Sequence, residues 1–315
     1  MNEPKYSIIV PHYNDYEGLN RLLASLPKRN DIECVIIDDN SNINDNSFSE
    51  LVAIFPFLNL KFLLNTKGVK GAGACRNLGL ETVKGEYVLF ADADDFFLLN
   101  AFDILDNVLN DAPGNDIYYF KPTSQCLVTG NLSDRHITYS DLIDKYLNDE
   151  NEEIKHKFYV PWSKLYLTKF LNDNNCTFDE VIASNDVMFS VKTGFLAKNI
   201  KAYHSSIYCV TRGKGTLTVN RSKKVQFSRL NVLIREAEFI FKNKINVTKE
   251  SVVGLIRDYF TVIDLSMLNI LIKSFFKGHL SFFPESYSSY IKSPRMIIQR
   301  MKRKKKLSVD DKSYH

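Results

Sequence analysis

An α/β fold, a doubly wound and mostly parallel sheet carrying a C-terminal helical appendage, is predicted by three observations. Over roughly the first hundred residues, short apolar runs alternate with stretches of helical periodicity. A polar cluster follows each run. Beyond about Leu217 the alternation stops and helix-period sequence continues alone.

The runs are Ser7–Val10, Cys34–Ile37, Leu60–Leu64 and Tyr87–Phe90. They are short, nearly continuous and bounded by polar residues, the pattern of strands buried on both faces. Between them, Glu17–Leu26, Ser47–Phe55 and Gly73–Val83 place apolar residues about 3.6 apart, as crossover helices do. Helices are also predicted over Val225–Asn243 and Val252–Ile272. The expected division is a body of residues 1–216, itself in two halves of about 1–98 and 99–216, followed by a helical region 217–315 with a basic tail.

In such a sheet, ligands bind outside the carboxyl ends of the strands. There the chain places Pro11-His12-Tyr13-Asn14-Asp15, then Asp38-Asp39-Asn40-Ser41, then Asn65 through Gly79, then Asp92, Asp94 and Asp95. Three carboxylates within four residues repel one another, and a hard divalent cation relieves that repulsion, so the triplet reads as a metal site serving a phosphorylated ligand. Together the four ends suit a nucleotide: an aromatic to stack on a base, an acid to accept from it, an arginine for phosphate and acids for the metal. Each alone has a plainer reading. Asp38–Ser41 serves equally as a turn with a helix cap, and Gly71–Gly79 as a loop feeding a helix. Gly71-x-Gly73 is no dinucleotide fingerprint, because Arg76 stands where the third glycine belongs, and no Gly-Lys-Ser/Thr makes it a P-loop. His12 reads as a polar strand-end side chain without a nameable partner.

Charge is unevenly distributed. Residues 292–315 carry nine Lys/Arg against two Asp, a net of +7, leaving the rest of the chain at −3. That body argues against a nucleic-acid-binding face. The five scattered cysteines, without a CxxC pair, suggest neither a disulfide framework nor a zinc site and fit a reducing cytosol. No signal-peptide pattern opens the sequence and no apolar stretch reaches membrane-spanning length. The expectation is a cytoplasmic protein, soluble or peripheral at the inner face of the membrane. The aromatics of Leu271–Phe283 and the basic run Arg295–Lys306 fit attachment to an anionic membrane surface, or equally a helical cap with a solvated charged tail.

In order and spacing, Tyr6–Asn14, Val35–Ser41, Asn65–Gly79 with its Ala74-Cys-Arg-Asn-x-Gly core, and Val88–Asp95 resemble the donor-binding half of family 2 inverting glycosyltransferases. The resemblance implies a GT-A fold and a nucleotide-sugar donor, usually a UDP-sugar, with Mg2+ or Mn2+ on an Asp-x-Asp motif. It puts Pro11 and Tyr13 beside the base, Asp39 on the base edge, Arg76 near base or diphosphate, Asp92 near the ribose and metal, and Asp94 on the metal. Cys75 departs from the alanine usual before that arginine. In the second half, Phe178–Phe189 is similar to the family segment that ends in Glu-Asp before a helix, which makes Asp186 the general base. Asn185 replaces the usual Glu; Glu180 is the fallback base, and helix capping is the plainer role for this stretch. Val160–Tyr166 resembles the Trp-x-Lys-Leu-Tyr segment, where Trp162 either meets the acceptor sugar or belongs to the core. Tyr208–Thr216 is similar to the loop after the last core strand, from which Arg212 or Lys214 would reach the diphosphate.

The implied activity is metal-assisted single displacement, moving a sugar to a hydroxyl of a glycan or lipid-linked acceptor in bacterial surface polysaccharide synthesis. Two rivals stand beside it. A haloacid-dehalogenase-like phosphohydrolase also ends a strand in Asp-x-Asp, but with Thr or Val where this chain has Phe96 and with the motif near the start of the fold. A non-catalytic nucleotide-sugar-binding relative would explain Asn185.

Overall fold

The computed structural model describes residues 3–42, 46–212 and 222–283. The first elements are β1 (Tyr6–His12), α1 (Tyr16–Ala24), β2 (Ile32–Asp38), α2 (Asn46–Ile54), β3 (Asn59–Leu64), α3 (Ala72–Thr82) and β4 (Tyr87–Phe90), the alternation read from the sequence. There follow β5 (Phe96–Phe97), α4 (Ala101–Asp111), β6 (Ile117–Phe120), β7 (Thr123–Cys126), α5 (Ile137–Asp149), α6 (Ile154–Lys157), β8 (Lys164–Leu167), α7 (Thr168–Asp173), α8 (Val187–Leu196), β9 (Ile200–Tyr203) and β10 (Tyr208–Arg212). The C-terminal helices are α9 (Lys223–Lys242), α10 (Val252–Tyr259) and α11 (Leu265–Phe276).

The main sheet has the order β3-β2-β1-β4-β8-β6-β9, parallel throughout except for β8, which runs antiparallel to both neighbours. Its strands alternate between two cores. Tyr6, Ile8 and Val10 of β1 join Cys34 and Ile36 of β2 on one face, while Ile9, Val35 and Ile37 point to the other. All seven residues of β2 are buried. β3 is different: it is the sheet edge and none of its residues is fully buried, so the expectation of burial on both faces fails there for want of a second neighbour. A second sheet, β5-β10-β7, was not anticipated; its strands are too short to leave a period in the sequence.

Local chemistry sets the helix ends. Asp15 caps α1, its carboxylate accepting from the Gly18 N–H at 2.9 Å, and Leu19, Leu22 and Leu23 turn inward. α3 lies close on β1 and β2 because residue 79 is glycine. A methyl there would sit 3.1 Å from Ile37 Cδ1 and closer still to Ile9 Cγ2. Gly79→Val is therefore expected to lower stability by roughly 1–3 kcal/mol through overpacking, read as a drop in the denaturant midpoint with an unchanged slope.

Two compact units result, residues 1–228 and 229–315, so the division falls within α9 rather than at 216/217. The second unit has its own small core of Leu230, Ile234, Val252, Leu255, Met267 and Leu271. The single helix expected over Val252–Ile272 is broken by a 3-10 turn at Phe260–Val262, and Asp264 caps α11 by accepting from the Met267 N–H at 2.8 Å. Apolar periodicity ran across that break, and one aspartate was enough to restart the helix. Among the described residues no helix is long and apolar enough to cross a membrane. Lys214 and the basic run Arg295–Lys306 lie outside the described residues.

Candidate active site

The sheet grows outward from β1 in both directions, to β2 on one side and β4 on the other. That is a topological switch point, and the crevice at its carboxyl end is where a ligand fits. The ends of β1, β2 and β4 all open there.

His12 closes the first loop. Its Nδ1 lies 2.8 Å from Asp38 Oδ1, and its Nε2 accepts from the Asp15 N–H at 3.3 Å, so the proton is assigned to Nδ1. His12 thus has a partner the sequence could not name. Asp38 also accepts from the Ser41 hydroxyl and N–H at 2.6 and 2.8 Å, which ties the β1 and β2 loops together. Pro11 is partly buried on this rim and Tyr13 is exposed, its ring available for stacking. Asp39 is buried, with one oxygen accepting from Asn65 Nδ2 at 2.7 Å and the other from the Gly71 N–H at 2.8 Å. The Cys75 thiol also donates a hydrogen bond to this carboxylate, so its orientation is fixed from three sides.

After β4, Asp92, Asp94 and Asp95 bring one carboxylate oxygen each within 4.8 Å of the others. Asp95 is fully buried; one of its oxygens accepts from the Thr211 N–H at 2.7 Å, while Oδ2 finds no hydrogen-bond partner among the described residues. Burial, then the charge of Asp92, pushes the Asp94 carboxyl up to about 6. Burial together with Asp94 and Asp92 holds Asp95 well above the ordinary carboxylate range. An unpartnered buried oxygen in a knot of mutually repelling hard donors fits Mg2+ or Mn2+. Asp95 belongs to the triplet read from the sequence but was not among the residues assigned to the ion; its carboxylate lies with those of Asp92 and Asp94.

The loop is held from outside. Arg21 and the Thr211 hydroxyl both donate to the Asp94 carbonyl, at 2.5 and 2.7 Å, and the Asp92 N–H donates to the Tyr208 hydroxyl at 2.8 Å. Tyr208 and Thr211 were missed because the Tyr208–Thr216 segment was read only for its cations.

Arg76, on α3 and buried, joins the two halves of the body. One terminal nitrogen donates to Asp92 Oδ1 at 2.5 Å, the other to Asn185 Oδ1 at 2.8 Å, and its guanidinium lies over the Phe178 ring at 5.3 Å. Gly73 permits this closeness, since a side chain there would run into the Asp179 carbonyl and Asn185. Asn77 adds a second tie, accepting from the Phe178 N–H at 2.8 Å and donating to its carbonyl at 3.0 Å. So Asn185, the departure from the family pattern, receives the arginine.

Asp186 follows directly, at the N-terminus of α8. It occupies the cap position without its side chain capping the helix, so the capping role considered for it is not used. Burial raises its pKa, with Arg76 opposing the shift, Asp92 adding to it and Lys164 opposing it. Charges from both halves of the body therefore act on one carboxylate. Glu180 is exposed and accepts from Asn77 Nδ2 at 3.2 Å.

Two assignments fall elsewhere. Trp162 is 3% exposed, stacked on Tyr208 at 6.1 Å and edge-on to Tyr139 at 5.1 Å. Its ring is covered by core aromatics, which leaves no face for an acceptor sugar; it supports Tyr208 instead. Arg212, one residue beyond Thr211, is paired with Asp134 at 3.0 Å. Its reach toward a diphosphate would need that pair to open.

Residues 7–174 match the profile described as Glycosyl transferase family 2. The chain is 26% identical to the GalNAc(5)-diNAcBac-PP-undecaprenol beta-1,3-glucosyltransferase of Campylobacter jejuni, over 78% of this chain and 77% of that one. It is 27% identical to the poly(ribitol-phosphate) beta-N-acetylglucosaminyltransferase TarS of Staphylococcus aureus over 65% of this chain, and spans 35% of that longer protein. Among solved structures, S. aureus TarS 1-349 in complex with UDP-GlcNAc superposes with a TM-score of 0.63 at 21% identity, covering 86% of this chain and 79% of that one. The likeness bears out the α/β, mostly parallel GT-A architecture. With a family match over more than half its length and that fold, the chain belongs to glycosyl transferase family 2.

Proposed function

We propose that this glycosyltransferase moves a sugar from a UDP-sugar to a hydroxyl of a glycan or lipid-linked acceptor in bacterial surface polysaccharide synthesis, with inversion, from the cytoplasmic side. The observation that carries the reading is Arg76 bridging Asp92 and Asn185, which holds the strand-end carboxylates and the residue before Asp186 on one guanidinium. The undecaprenol-linked and poly(ribitol-phosphate) substrates in the names of two relatives support the acceptor class, and the UDP-GlcNAc bound in the solved TarS structure supports the donor.

Pro11 and Tyr13 would flank the base, and Asp39, pre-oriented by Asn65 and Gly71, would accept from its edge. Asp92, Asp94 and Asp95 would hold Mg2+ or Mn2+, which when bound neutralises charge developing on the leaving diphosphate. Asp186 takes the proton from the acceptor hydroxyl. Its raised pKa makes it a stronger base than a solvated carboxylate, while Arg76 and Lys164 favour its ionised form. A solved relative, the mannosyltransferase PcManGT of Pyrobaculum calidifontis in complex with GDP-Man and Mn2+, with a TM-score of 0.51 at 12% identity, supports a divalent ion in this fold.

The test is a panel of UDP-sugars with the purified chain, Mn2+ and candidate acceptors. Thermal stabilisation by a UDP-sugar, together with UDP release that accelerates when acceptor is added, is the expected result. Donor binding without release against any acceptor would favour the non-catalytic alternative. The phosphohydrolase alternative is set aside by family membership.

A further inference from the structure

Helix α11 is apolar on two sides. Met267 and Leu271 turn into the core of the second unit. Leu265, Ile272 and Phe276 are exposed, and their spacings of seven and four residues align them along the opposite side of the helix. Phe276 is 80% exposed, and Phe282 and Phe283, just past the helix, are 48% and 56% exposed. Phe275 touches both Phe276 and Phe282, with ring centres 5.4 and 5.6 Å apart, and Phe282 touches Phe283 at 4.9 Å, so the rings form one cluster. A helix apolar on both sides calls for a second covering surface.

Charge indicates what covers it. From Leu265 to Phe283 the sequence contains no Asp or Glu, and exposed Lys273 and Lys277 lie within the same stretch as the rings. Lys249 donates to the Gly278 carbonyl at 2.7 Å, bringing a third ammonium to the same turn. Farther on, the sequence from Lys292 to Lys306 adds eight Lys/Arg without an acid. Two copies meeting through such a face would set lysine against lysine. Aromatic rings bordered by ammonium groups match the boundary between acyl chains and phosphate headgroups.

We propose that the outer face of α11, with Phe276, Phe282 and Phe283, docks on an anionic bilayer, the rings entering the acyl boundary and Lys249, Lys273 and Lys277 meeting headgroup phosphates. This deepens the functional reading, since a lipid-linked acceptor is presented at such a surface, and it can be tested apart from transfer. Flotation of the full chain with phosphatidylcholine vesicles, with and without phosphatidylserine, is compared with two variants. These are Phe276→Ser/Phe282→Ser/Phe283→Ser, which alters exposed rings, and Lys273→Glu/Lys277→Glu, which alters charge alone.

The expected result is binding that requires phosphatidylserine, falls as salt rises, and is weaker by roughly tenfold or more in each variant, with transfer to a soluble acceptor unchanged. Wild-type affinity in both variants, or no binding by the full chain, would overturn the proposal. So would a dimer in gel filtration that the aromatic variant converts to monomer, because the face would then belong to a second copy. Vesicle binding without transfer on any UDP-sugar would sink the functional reading and leave the docking surface standing.

Discussion

Asp186→Asn is expected to lower turnover by about a hundredfold or more while leaving UDP-sugar affinity near that of the parent, the scale of a lost general base. The substitution keeps the size of the side chain, and since the Asp186 side chain does not cap α8, the helix loses no capping bond. Asn185 continues to receive Arg76. The wild-type rate should fall on the acid side at a pH above the ordinary carboxylate range, because the base must be deprotonated and burial raises its pKa. In Asp186→Asn that limb should disappear along with most of the rate. Steady-state kinetics over pH, with donor affinity measured independently, check both parts. An active Asp186→Asn beside an inactive Glu180→Gln would move the base to Glu180.

Asp94→Ala is expected to abolish most of the thermal stabilisation that Mn2+ confers in the presence of UDP. Transfer should drop by at least about a hundredfold, the upper end of what loss of a group that merely orients a ligand costs. The reason is the knot of charge after β4: a hard cation loses one of three clustered anionic oxygens, and no fourth carboxylate joins that cluster among the described residues. The fold should survive, because Arg21 and Thr211 hold residue 94 through its carbonyl, which alanine retains. Full activity in excess EDTA would refute a metal role for the cluster.

The strands of the first half and their crossover helices were legible because each records a local rule. A strand covered on both faces must be apolar throughout, and a helix packed on one side must repeat near 3.6 residues. β4 has the bounds read from the sequence, Tyr87–Phe90, and the three crossover helices lie within two residues of theirs at each end. The placing of the polar clusters was legible to the same depth, since they follow the ends of β1, β2, β3 and β4. Trp162 was not: a tryptophan beside a Lys-Leu-Tyr segment has the same sequence whether its ring faces a sugar or Tyr208 and Tyr139. The split between α10 and α11 was masked in turn by apolar spacing that continued across it.

By itself, then, the sequence determined the alternation of strand and helix, the polar rim at the strand ends, and the change to helices after the body, because periodicity and strand-end polarity are properties of neighbours along the chain. Tertiary structure alone decided the rest. It inserted β8 antiparallel between β4 and β6, paired His12 with Asp38 across 26 residues, and carried the Arg76 guanidinium to Asn185 across 109. It also left Asp95 Oδ2 without a hydrogen-bond partner among the described residues, beside Asp92 and Asp94. These depend on which surfaces meet when the sheet closes its two cores, and a contact between residues a hundred apart imposes no period on the sequence between them.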